Sequence, residues 1–63
     1  MPIVQVQMME GRTEAQKEAL IEKVTEAVHE AVNAPVDHIR VLIQELPKTH
    51  WGIAGKSAKR LGR

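Results

Sequence analysis

Sixty-three residues without a cysteine leave room for one domain, residues 1–63, and exclude disulfides and thiol catalysis. Hydrophobic residues at 43% and charged residues at 27% exclude a disordered tract, and no apolar run reaches the length of a membrane span. The formal charge of +1 conceals a division: residues 1–45 carry four basic and eight acidic side chains, whereas residues 46–63 carry five basic ones and no acid.

Chains this short ordinarily add disulfides, a metal or a partner subunit to a core that is marginal alone. His29, His38 and His50 are too scattered for a short-range ligand pair such as i, i+4, so self-association is the expected device. The opening residues lack the basic segment and cleavage site of a secretory signal, and the expected compartment is the cytoplasm.

Ile3 to Met9 alternates at period two, with Val4, Val6 and Met8 on one side and Gln5 and Gln7 on the other, which predicts a strand ended by Gly11. Thr13-Glu14-Ala15-Gln16 is a capping box. Beyond it Leu20, Ile21, Val24, Ala27, Val28, Ala31 and Val32 recur at helical spacing, until Asn33 and Pro35 stop the run. A helix from about Thr13 to Asn33 follows. Glu14, Glu18, Glu22, Glu26 and Glu30 recur every fourth residue along it, either as a solvated face relieved by Lys17 and Lys23 or as a contact for the basic C-terminal segment of the same or a neighbouring subunit. His38 to Gln44 reads as a second strand, with Ile39, Val41 and Ile43 on one face and Arg40 and Leu42 on the other. Strand, long helix and strand predict a βαβ unit with parallel strands and a right-handed crossover. One helix covers one sheet face, so the other face needs a partner. Trp51-Gly52-Ile53-Ala54-Gly55 then predicts a tight turn or short hairpin.

Few residues here are suited to chemistry. Ser57, the single serine, has no neighbouring base and reads as structural. Pro2 is more interesting, because removal of Met1 ahead of a small residue would expose a secondary amine able to act as base or nucleophile near neutral pH. Arg12, between strand and helix, and Arg40, within the second strand, are the two arginines outside the basic tail. An unpaired cation in a strand that belongs to an assembly is unusual.

Pro2 after the initiator, Glu10-Gly11-Arg12, the helix running on from Thr13, Ala34-Pro35, Arg40 and Trp51-Gly52-Ile53-Ala54-Gly55 follow one another in a chain of this length. With them the sequence resembles the short 4-oxalocrotonate tautomerase group of the tautomerase superfamily over essentially its whole length. The resemblance implies an α/β fold: a β-α-β subunit with a short C-terminal hairpin, dimers forming a four-stranded sheet, and three dimers forming a homohexamer. It implies an isomerase that needs no cofactor or metal and catalyses a 1,3-keto-allylic proton shift, from 2-hydroxymuconate to 2-oxo-3-hexenedioate, in aromatic catabolism. By position, Pro2 would be the general base. Arg12 would bind the distal carboxylate, Arg40 from a neighbouring subunit would bind the 2-oxo group and adjacent carboxylate, and Trp51 would wall the amine from water. Met9 stands where a leucine is common in the group, and Trp51 where phenylalanine is common.

Two other readings compete. Hydration or dehalogenation of an unsaturated acid would use the same fold. A small basic module could bind nucleic acid through the +5 tail and Trp51, but the acidic helix and the single aromatic oppose this, and neither nucleic acid nor membrane is an expected partner.

Overall fold

The alternation of residues 3–9 becomes strand β1, Ile3–Met9, in a computed structural model that describes residues 1–63. Thr13 caps the next element as its sequence predicts. Its hydroxyl oxygen accepts from the Gln16 backbone N–H at 3.1 Å, and the Gln16 side chain accepts from the Thr13 N–H at 3.0 Å. Helix α1, Glu14–Val32, runs from this box to Asn33, whose left-handed backbone (φ 57°) lets its N–H bond the His29 carbonyl.

The second strand, β2, spans Arg40–Leu46, not residues 38–44. Pro35 starts a 3-10 turn over Val36–His38, closed by His38 N–H to Pro35 O and Ile39 N–H to Val36 O, so strand geometry begins two residues late. At the other end nothing stops the strand before Pro47. A second 3-10 turn, Lys48–His50, leads to a hairpin of β3, Gly52–Ile53, and β4, Lys56–Ser57. Its two turn residues, Ala54 (φ 51°) and Gly55 (φ 86°), both take positive φ, the condition for the turn that matches strand twist.

Strands β1 and β2 pair in parallel, with Ile3 opposite Arg40 and Met9 opposite Leu46. The helix lies over the face carrying half-buried Val4, Val6, Met8, Val41 and Ile43. Leu20, Val24 and Val28 meet this face, whereas Ile21 and Val32 stay exposed because two strands, about 10 Å across, are narrower than the apolar stripe of α1. Lys17 pins the first turn of α1 to the end of β2, its Nζ lying 2.8 Å from Glu45 Oε1 and 2.9 Å from Glu14 Oε1. None of the other helical glutamates makes an ion pair within the chain, so their row does not meet the basic segment of its own subunit.

The opposite sheet face has no cover. Ile3 and Leu42 are 56% and 50% exposed, and Gln7 donates to Gln44 across it at 3.2 Å. Only Ile39 and Ala58 are buried. The surface of 4931 Å² exceeds the roughly 4000 Å² of a compact monomer of this mass. The 14.6 Å radius of gyration likewise exceeds the roughly 11 Å expected of a compact 63-residue domain. No helix is long and apolar enough to cross a membrane.

Candidate active site

The parallel register divides the candidate residues between two ends of the sheet. At the N-terminal end, Pro2 is half-buried and its carbonyl accepts from the Arg40 backbone N–H at 3.0 Å. Strand alternation sends the Arg40 side chain to the uncovered face, with Ile3 and Leu42. There it folds back, Nη1 donating to the Asp37 carbonyl at 2.7 Å. The backbone of Arg40 thus adjoins Pro2, while its guanidinium is held on its own chain. Met1, 78% exposed, precedes Pro2 and makes its nitrogen an amide without basicity.

Met9, Arg12 and Trp51 belong to the other end. The seven residues of β1 rise roughly 23 Å, so Arg12 cannot reach Pro2 of its own chain. Glu10 continues the ladder by donating to the Leu46 carbonyl at 3.0 Å, and Gly11 (φ 128°) then turns the chain toward Arg12. Trp51 is half-buried against the tail: its N–H meets the Lys48 carbonyl at 3.4 Å and its carbonyl accepts from Ala58 at 2.7 Å. Ser57 has the structural part expected of it, its hydroxyl oxygen accepting from the Arg60 N–H at 3.1 Å.

At this second end lies a cleft of about 290 Å³ lined by Met8, Met9, Glu10, Gly11, Arg12, Lys48 and Arg63. Arg12, Lys48, Arg63 and Glu10 supply its charged side chains, and none of the three cations makes an ion pair. Lys48 and Arg63 were not among the candidates. The only trace of them in the sequence is the charge division, since no linear spacing relates residues 12, 48 and 63. Such a cleft suits an anion with some apolar surface. The two ends together contain a potential amine, three unpartnered cations and an apolar wall, but no single chain joins them.

Comparison with known proteins follows the same lines. The family model described as tautomerase enzyme matches residues 2–60. A 2-hydroxymuconate tautomerase of Pseudomonas putida is 64% identical over 63 residues, the whole of both chains, and one of Comamonas testosteroni is 60% identical over the same span. Among solved structures, a 4-oxalocrotonate tautomerase isozyme from Methylibium petroleiphilum is 58% identical. It superposes with a TM-score of 0.94 over 98% of this chain and 100% of that one. A heterohexamer 4-oxalocrotonate tautomerase from Chloroflexus aurantiacus is 36% identical, with a TM-score of 0.92 over 97% and 98% of the two chains.

Proposed function

This chain belongs to the tautomerase family and is an isomerase, and we propose that it converts 2-hydroxymuconate to 2-oxo-3-hexenedioate in a site built from more than one subunit. The observation that carries the shared site is the separation of Pro2 from Arg12 along β1. An antiparallel, two-fold pairing of β1 with β1 of a second copy reverses the strand ends. Pro2 then comes beside Met9, Arg12 and Trp51 of the partner subunit, and two sheets become one of four strands. The exposed Ile3 and Leu42 face and the surplus surface call for still further contacts, which three dimers in a homohexamer supply.

The reaction needs one base that also returns the proton. Once Met1 is removed, the Pro2 amine takes the proton of the 2-hydroxyl group. The C2–O bond becomes a carbonyl, the diene electrons shift toward C5, and C5 receives the proton back from the amine. Atoms and electrons balance with no oxidant or cofactor. The role of the cations follows from Coulomb's law. One guanidinium about 6 Å away, at an effective dielectric near 20, opposes protonation of the amine by about 2.8 kcal/mol, roughly a hundredfold before solvent screening. Trp51 acts in the same direction by excluding water. Arg12 grips the carboxylate next to C5 and draws electron density there, and Arg40 of a neighbouring subunit binds the 2-oxo oxygen and its carboxylate.

The test joins intact mass to a ketonisation assay. A chain beginning at Pro2 is active and one that keeps Met1 is nearly inactive. Full activity with Met1 attached would exclude the amine as base.

A further inference from the structure

Between α1 and β2 the carbonyls of Ala34, Pro35, Val36 and Asp37 are all engaged, one after another. The inner two belong to the 3-10 turn: Pro35 O accepts from the His38 N–H at 3.0 Å and Val36 O from the Ile39 N–H at 3.1 Å. Side chains take the outer two. His29 Nδ1, in the last turn of α1, donates to Ala34 O at 2.7 Å, and Arg40 Nη1 donates to Asp37 O at 2.7 Å. A carbonyl only accepts, so Nδ1 of His29 carries the hydrogen.

This bracket is anchored at both ends. The His29 carbonyl also accepts from the Asn33 N–H at 2.9 Å, so one residue holds the helix end through its backbone and the crossover through its ring. Pro35 sets φ at −59° between them. Past the turn, Ile39 is buried and the Arg40 N–H is bonded to the Pro2 carbonyl. The Arg40 guanidinium thus lies between its own anchored backbone and a carbonyl whose position the crossover sets. Its bonds to Asp37 O and, at 3.5 Å, to Ile39 O both use Nη1. The edge formed by Nε and Nη2 makes no bond within the chain, and its paired N–H groups are the ones that grip a carboxylate bidentately. A guanidinium tethered in this way loses less freedom on binding than a solvated one.

We propose that His29 is a positioning residue for Arg40: by fixing Ala34 it holds the 3-10 turn where Asp37 O orients the guanidinium and leaves one edge for substrate. This rests on the role proposed for Arg40, and His29 itself touches no substrate.

The test is a double-mutant cycle on the intact protein, read as kcat/KM for 2-hydroxymuconate. H29A should lower kcat/KM about fivefold, the scale of one neutral hydrogen bond, even though alanine is the better helix former. H29N, whose side-chain amide can donate from near the place of Nδ1, should restore most of the loss. In an R40A background H29A should change kcat/KM by less than about twofold, because the group it positions is gone. Unchanged kcat/KM in H29A would overturn the proposal. So would an H29N variant as poor as H29A, or an equal loss beside R40A, which would make His29 a structural residue only. A neutral effect of R40A alone would remove the role of Arg40 and this proposal with it, and that single variant tells the two failures apart.

Discussion

Pro2 is the residue on which the proposed chemistry turns, because removal of Met1 would give it a rigid secondary amine. Pro2→Ala keeps an amine after processing but loses the rigid secondary one, and turnover should fall by about 10²- to 10⁴-fold, the usual contribution of a positioned general base. Assembly, read by sedimentation velocity, should not change. Arg40→Ala removes a charged grip on the 2-oxo end, so kcat should fall about 10²-fold or more and KM should rise; a neutral effect would remove Arg40 from the site. Lys17 tests a structural role. Its bonds to Glu45 first, and to Glu14, raise its pKa above the ordinary 10.5. A raised folded value means that the pair contributes fully below about pH 10.5 and is lost as pH climbs through the folded pKa. Lys17→Met should thus lower the denaturation midpoint at about pH 8, and the gap from the parent should narrow as pH rises above about 10.5.

Among the elements, those with local signals were the most legible in the sequence. Thr13 and Gln16 announce the start of α1, Asn33 and Pro35 its end, and Val4, Val6 and Met8 the inward face of β1. The start of β2 was misjudged by two residues because Val36, Asp37 and His38 carry no mark of a 3-10 turn beyond the proline before them. Lys17 with Glu45, and the gathering of Lys48 and Arg63 beside Arg12, depend on how the layers stack and have no signature in linear spacing. Roles for Pro2, Arg12 and Arg40 came from resemblance, because an amine and two guanidinium groups far apart in the chain specify no reaction alone. The hairpin offers a clean test of local geometry. Ala54 sits at φ 51°, which costs an alanine about 1–2 kcal/mol. Glycine removes that cost but loses about 0.4–1 kcal/mol through the freer unfolded chain, so Ala54→Gly should stabilise by about 0.5 kcal/mol in denaturant titration.

For the molecule as a whole, size is the governing fact. A 63-residue chain with two buried residues and a bare sheet face does not contain its own core. Short length, which at first only limits what the protein could be, becomes on the proposed reading the reason its site is shared: the dimer partner brings Arg12 to Pro2, and the other dimers of the hexamer bury Ile3 and Leu42. Leu42→Glu should therefore dissociate the assembly and abolish activity together, with both losses tracking one another across protein concentration.

The most direct test of the shared site is subunit mixing. Pro2→Ala and Arg12→Ala, each nearly inactive alone, are unfolded, combined in equal amounts and refolded together. Random assembly leaves about one site in four with an intact Pro2 from one subunit and an intact Arg12 from another, so ketonisation of 2-hydroxymuconate should recover to about a quarter of the parental rate. If the mixture forms mixed oligomers yet stays as inactive as its components, the site is not shared in this way and the account is wrong.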